Sequence, residues 1–341
     1  NMKTQLIERF NAYMTECTTH INTLIRERED YLSKQKLNNV DVELNEFIKN
    51  SPFQKARHRK YNSKKIPVDD IILITETKIS TQNAFGKILD QYAKNDTEFG
   101  NRIITTSPDV SVSTNLGPWI NKKGLFSRTD TSDTFRDRKI PSAQKWIFSS
   151  QGQHIELGIA EMNLFLMLGA AGLSHELFGE RLFPIGTVYD PFIARGLDAM
   201  NYACYQDARF MIVGTPSGVS LAPEGGAHQS IGTPLIGISQ PGLLSYEPAF
   251  ADELSIIMNY GFNYLQDENG GSIYLRLTTR SIEQPLRDIN HELKQNVIKG
   301  GYWLRKPGQN PEIIIIYQGV VASEAVEATG LLGEKFKDVG V

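Results

Sequence analysis

Cysteine is almost missing from this sequence. Cys17 and Cys204 are the only two in 341 residues, far apart and without His or Cys neighbours at metal-ligand spacing. That excludes a disulfide framework or a zinc cluster and points to reduced thiols in a cytoplasmic setting. Long apolar runs are missing too: the longest, 164–173, has ten residues where a membrane helix needs about 20. So is an excess of charge. Lys and Arg number 36 against 39 Asp and Glu, a net charge of -3, and a nucleic-acid partner, which asks for a basic footprint, is not expected. The one local excess, six Lys or Arg within 55–65, lies in a polar stretch and reads as a solvated connector. Phosphate loops, a Ser-His-Asp order, internal repeats and low-complexity tracts are likewise absent, and six His without close pairs do not make a metal site.

What is present is the composition of an ordinary globular protein, 40% apolar and 22% charged, long enough for about two domains. Asn1 precedes Met2, so the first residue reads as the remnant of an expression tag. The chain closes on Val339-Gly340-Val341, where a strand should begin after an apolar, strand-like run at 312–317 and a helical stretch at 320–337; the expectation is a fragment of a longer protein. Within 2–50, Ile7, Phe10, Met14, Ile21, Leu24 and Ile25 recur at helical spacing among charged residues, an amphipathic helix that could pack on a domain or on another subunit. A further helix is predicted from Ser80 to about residue 93. Strand-like segments at 102–106, 183–187, 209–215 and 272–278 then alternate with helix-like stretches at 156–173, 191–206 and 249–263. That alternation predicts the α/β class, with a doubly wound, mostly parallel sheet. Ligands bind such sheets beyond the carboxyl ends of the strands, so the loops there are where a site is sought.

Three segments stand out. Glu161 lies in a stretch, 155–167, whose helix would be apolar almost all round and therefore buried. A buried carboxylate finds a partner or shifts its pKa upward, and one held in that way can donate a hydrogen bond to a ring nitrogen or shuttle a proton. The plainer alternative is a Glu near a helix N-terminus, satisfied by backbone or by an Arg. Glu156, one turn earlier, reads as a first-turn Glu favoured by the helix dipole. In the second segment, 222–230, Gly225-Gly226 permits positive φ or close backbone approach and presents His228 on a loop at the sheet edge, either as a group titrating near neutral pH or as a surface His. The third, 186–192, leaves a strand for a helix with Pro191 in the first turn; Tyr189 and Phe192 there could stack on a flat heteroaromatic ring or fill the core.

In this order the three segments resemble the middle, pyrimidine-binding domain of the thiamine-diphosphate enzymes of the transketolase superfamily. Gly152-Gln153 followed by Gly158-Ile159-Ala160-Glu161 resembles the stretch that carries the family's glutamate, 184–192 its aromatic strand-to-helix turn, and 224–229 its glycine-histidine loop; the likeness runs over about 75–285. Within the superfamily, Ser245-Tyr246-Glu247-Pro248-Ala249-Phe250-Ala251 is most similar to the homodimeric decarboxylating component of pyruvate dehydrogenase. Transketolases carry Arg-Pro-Ala-Asp there, and an Arg before the glutamate where this chain has Ala160. After His228 the chain reads Gln229-Ser230-Ile231-Gly232, without the acidic residue and second His of the dehydrogenase.

The resemblance implies thiamine diphosphate as cofactor, with Mg2+. Glu161 would hydrogen-bond the aminopyrimidine nitrogen and so activate the cofactor, Tyr189 and Phe192 would pack around that ring, and His228 would face the reacting carbon as a donor or in proton transfer. Asp109, in Ser107-Pro108-Asp109, resembles an acidic residue at the cofactor end of the first strand. The implied reaction is decarboxylation of a 2-oxo acid such as pyruvate, then transfer of the acyl group to a lipoyl-bearing acyltransferase component, by a homodimer. The family grips the diphosphate and its metal with Gly-Asp-Gly and a following Asn on a separate domain; Gly-Asp-Gly does not occur here, so this chain is expected to hold no metal, to bind cofactor negligibly and to be inactive by itself. The expected organisation becomes a helical segment and basic linker at 1–70, a pyrimidine-binding domain at 71–285, and a linker with the truncated start of a C-terminal α/β domain at 286–341. A transketolase acting on sugar phosphates, or a non-catalytic interaction module, stands as the alternative. The module requires that Glu161 be paired structurally and that Tyr189, Phe192 and His228 not converge.

Overall fold

The computed structural model describes residues 2–34, 40–50, 63–129, 137–141, 145–219, 225–336 and 338–341. Most of the basic connector, and residues 222–224 ahead of the glycine-histidine loop, lie outside them. The chain forms two units, 1–60 and 61–341.

The first unit carries α1 (Met2–Lys34) and α2 (Val40–Asn50). The hydroxyls of Thr15, Thr18, Thr19 and Thr23 each donate to the carbonyl one turn back, an acceptor they share with the helix backbone. The apolar side predicted from the spacing, Ile7, Phe10, Met14, Ile21, Leu24 and Ile25, is exposed.

The second unit begins with extended chain and β1 (Lys78–Ile79). Ser80 caps α3 (Thr81–Lys94), its hydroxyl accepting from the Asn83 amide at 3.1 Å, where the helix was predicted to start. There follow β2 (Ile103–Ser107), α4 (Gly117–Lys123), β3 (Leu125–Phe126), β4 (Phe148–Ser149), β5 (His154–Glu156), α5 (Glu161–Gly172), α6 (Ser174–Leu177) and β6 (Phe183–Val188). After a 3-10 turn at Asp190–Gly196 come α7 (Leu197–Tyr205), β7 (Met211–Gly214), α8 (Thr233–Ser239) and β8 (Leu243–Tyr246). The rest is α9 (Ala251–Tyr264), β9 (Ser272–Arg276), β10 (Ile282–Glu283), α10 (His291–Ile298) and α11 (Ala322–Gly333). Eight strands form one sheet in the order β4-β3-β5-β2-β6-β7-β9-β8, every pairing in it parallel, while β1 and β10 make a separate antiparallel ribbon.

The expected alternation is thus the observed one, with differences at the edges. The helix predicted over 156–173 begins at Glu161, because 154–156 pairs with β2 and Gly158 turns the chain at φ 65°. Glu156 is accordingly a strand residue and not a first-turn Glu. The strand expected at 312–317 is reduced to one parallel bridge between Ile314 and Gly340, and the helix at 320–337 to α11.

Alternation along the buried strands sorts side chains onto two faces. Met211 and Val213 of β7 and Ile273 and Leu275 of β9 join one core with Phe85, Trp119, Leu254 and Phe262; Ile212 and Tyr274 join the other with Leu164, Phe165, Leu168 and Met200. In the first core Tyr92, Phe99, Phe183 and Phe262 pack edge to face, with centroids 4.9–5.9 Å apart. The second contains Cys204, whose thiol burial pushes up to about 11, so it stays unreactive. Helices on both faces leave only the two ends of the sheet for a site.

Candidate active site

The neighbouring strands β5, β2, β6 and β7 end side by side, and all the residues singled out in the sequence follow those ends. The turn after β5 is held by Glu156, whose carboxylate accepts from the amides of Asp109 at 2.8 Å and Leu157 at 3.1 Å and from Ser111 Oγ at 2.6 Å. Burial alone would raise this carboxyl, but its hydrogen bonds to His154, Ser111 and the Asp109 amide outweigh that and bring it down to about 2. Behind it the buried His154 ring is fixed by Thr105 at 2.8 Å and Ser111 at 3.0 Å.

This turn delivers Glu161 as the first residue of α5, where unsatisfied amides and the helix dipole favour a carboxylate. Its side chain is 11% exposed, and Oε1 accepts from Arg195 Nη1 at 2.6 Å. The Arg195 guanidinium lies 3.9 Å from the centroid of the Phe192 ring. Phe192, Tyr189 and His228 form a cluster of three rings, with centroids 5.1 Å apart for Tyr189 and His228, 5.9 Å for Tyr189 and Phe192, and 6.3 Å for Phe192 and His228. Tyr189 donates its hydroxyl to Ser113 Oγ at 2.9 Å, which ties the cluster to the loop after β2. Glu161, Tyr189, Phe192 and His228 are therefore brought into one contiguous group. Asp109 is not in that group: it is exposed at φ 64°, and its carboxylate makes no hydrogen bond or ion pair among the described residues.

One expectation meets a correction here, and one pair of alternatives stays open. Helix α5 is apolar almost all round, yet it buries only the side with Leu164, Phe165 and Leu168, while Met162 and Leu166 stand exposed, because the neighbouring secondary structure covers one face alone. And Glu161 has the Arg partner of the plainer alternative together with the converging rings of the catalytic one.

Two residues went unnoticed in the sequence. Arg195 follows Phe192 by one helical turn, a spacing that by itself brings side chains together. Asp190 is fully buried directly after Tyr189; its carboxylate accepts from the hydroxyls of Ser230, Thr233 (2.6 Å) and Tyr274 and from Arg276 Nε (3.3 Å). Arg276 also meets Glu247, whose carboxyl burial raises above its ordinary range even beside that cation. Only a lone Asp before Pro191 could have signalled this, and that pattern reads as an ordinary turn residue.

A buried carboxyl group beside a wall of aromatic rings fits a flat, nitrogen-bearing heteroaromatic ring: the acid, when protonated, supplies a donor to the ring nitrogen and the rings supply the faces. No three His, Cys, Asp or Glu side chains among the described residues are grouped to hold a metal ion. No helix among the described residues is long and apolar enough to cross a membrane.

The profile of the pyruvate dehydrogenase E1 component middle domain matches residues 74–285, more than half of the chain. The chain belongs to the pyruvate dehydrogenase E1 middle-domain family. Among curated E1 relatives, that of Cupriavidus necator is 25% identical over 276 residues, covering 77% of this chain and 29% of its own length. That of Mycolicibacterium smegmatis is 27% identical over 262 residues, covering 75% and 27%. The chain thus spans under a third of the length of these E1 components. The fold is also that of transketolases: the Leishmania mexicana structure superposes with a TM-score of 0.61 at 18% identity over 85% of this chain and 37% of its own, and the Campylobacter jejuni structure with 0.61 at 16% over 90% and 42%.

Proposed function

We propose that this E1-family chain is the pyrimidine-binding part of a thiamine-diphosphate-dependent 2-oxo acid dehydrogenase, with pyruvate as substrate and a lipoyl carrier as acyl acceptor. The observation that carries this reading is the convergence of Glu161, Tyr189, Phe192 and His228 at the carboxyl edge of the sheet in a member of this family. Thiamine diphosphate, when bound, supplies the carbanion chemistry that no protein side chain provides. Glu161 would hold the ring nitrogen of the aminopyrimidine and keep its proton at Oε1, the oxygen now engaged by Arg195. Arg195, with 53% of its side chain exposed, can swing aside to free that oxygen. Tyr189 and Phe192 would bracket the ring and exclude water from its faces, and His228 would donate to the carbonyl oxygen of the 2-oxo acid. The diphosphate and its Mg2+ would be gripped by another polypeptide segment, so residues 71–285 form half of a composite site and the chain by itself is inactive. Asp109, apart from the rings but at the same strand ends, would face the cofactor from β2.

A homodimer suits the surface. Ile159, Met162 and Leu166 around α5, with Tyr202 and Tyr205 of α7 and Leu235 and Ile238 of α8, are all exposed apolar groups of helices that pack on the same side of the sheet. The test is pyruvate-dependent dye reduction by the complete enzyme. Glu161→Gln should lower it at least about 100-fold, the scale on which general acid–base groups act, while leaving the fold intact. Wild-type turnover in that variant, or ketol transfer between sugar phosphates without dye reduction, would remove the reading.

A further inference from the structure

We propose that Asp190 is a positioning residue which, through Ser230, holds His228 against Tyr189. The inference rests on the proposed role of His228 and extends it to how that ring is kept in place. Asp190 directly follows Tyr189 and Ser230 comes two residues after His228, so a bond between them joins the bases of both ring-bearing segments. Ser230 is fixed a second time: its Oγ accepts from the Gly218 amide at 3.0 Å, and its own amide donates to the Gly218 carbonyl at 2.9 Å. The Arg276 guanidinium closes the frame from below, donating to Asp190 and, at 3.3 Å, to the Ser230 carbonyl. Gly214 leaves the room that the carboxylate needs, since a Cβ there would overlap Asp190 Oδ1.

Neutralising Arg276 is not reason enough for Asp190 to be there. Glu247 already faces that cation, and burying a second carboxylate is costly unless its hydrogen bonds do something further. What they do is fix geometry: three hydroxyls from three different elements converge on one side chain, and only Ser230 among them belongs to the His228 loop. An active-site ring on a loop needs such support to hold its distance to a neighbouring element.

The test uses the 341-residue chain with labelled histidine. In the wild type the His228 ring protons should be displaced from the free-histidine position by the Tyr189 ring, and the amides of 228–230 should exchange slowly. Ser230→Ala should abolish the displacement and speed that exchange about tenfold, with the His154 signals unmoved as a control for the fold; Ser230→Thr should restore both. Asp190→Asn should behave like Ser230→Ala, and if it fails to fold, the serine variants decide. An unchanged His228 signal and unchanged exchange in Ser230→Ala overturns the proposal. Loss of the displacement with unaltered dye reduction in the complete Ser230→Ala enzyme supports the latch and instead overturns the role given to His228.

Discussion

Replacing Arg195 by Met removes the cation from Glu161 and from the face of Phe192 while keeping most of the aliphatic stem. Hydrogen bonds to charged groups are worth about 1.5–3 kcal/mol, but the Arg195 side chain is 53% exposed, and solvent screening moves the ion pair toward the surface value of about 1 kcal/mol or less. The guanidinium on the Phe192 ring adds about 0.5–1 kcal/mol. Glu161 is not left stranded, because the N-terminus of α5 still favours its charge by about 0.5 kcal/mol. Arg195→Met should therefore cost about 1–1.5 kcal/mol of stability. Urea unfolding followed by tryptophan fluorescence measures it, since Trp119 is fully buried in the same unit. A double-mutant cycle with Glu161→Gln should give a coupling of about 1 kcal/mol. In the complete enzyme the same substitution should tighten cofactor binding, because the carboxylate is then no longer contested. A coupling indistinguishable from zero would mean that the ion pair contributes nothing; tighter cofactor binding would then lose its physical basis.

Acid should act on Glu156. Its carboxyl is held at about 2 against an ordinary 4.5, so its contribution is complete above pH 4.5 and is lost as the pH falls through 2, amounting to about 1–2 kcal/mol after allowance for its partial exposure. Glu156→Gln should flatten the stability profile within that window in acid titrations by circular dichroism; identical profiles would show that the hydrogen bonds to Asp109 and Ser111 do not favour the ion. Gly214→Ala should destabilise the fold by about 3 kcal/mol, since the new methyl must displace the Asp190 carboxylate from four donors. A melting temperature within a degree of wild type would count against so tight a packing. Leu166→Glu with Leu235→Glu should convert a dimer to a monomer in sedimentation experiments, and an unchanged mass would place any interface elsewhere.

The fold was legible where the physics is local or the burial complete. The strands β6, β7 and β9 are covered on both faces, so they read as short apolar runs, and Ser80 announces α3 through its cap. Strands β3, β4 and β5 have two or three residues each, too few for a period of two to show. Of strand β5 only Glu156 falls within the helix expected at 156–173, and the positive φ of Gly158 separates the strand from the helix that starts at Glu161. In the second unit α4 and α8 have seven residues each, less than the window over which helical periodicity becomes visible.

The site was legible by residue type and not by pairing. A carboxylate in an apolar stretch reveals that burial will be costly, but the partner that offsets the cost lies at a distance set by the fold: 34 residues on for Glu161, and 40, 43, 84 and 86 for Asp190. Both acids are buried, and both contact an Arg, so burial and pairing alone do not say which one is free to act. The exposure of the partner does. Arg276 is 3% exposed and braced by Glu247 and the Ser230 carbonyl, so moving it would leave charges unpaired in the interior. Arg195 is 53% exposed and can exchange Glu161 for water at little cost. Glu161 is therefore the carboxylate that can be handed to a ligand, and Asp190 the one that keeps the neighbouring rings in place while it happens.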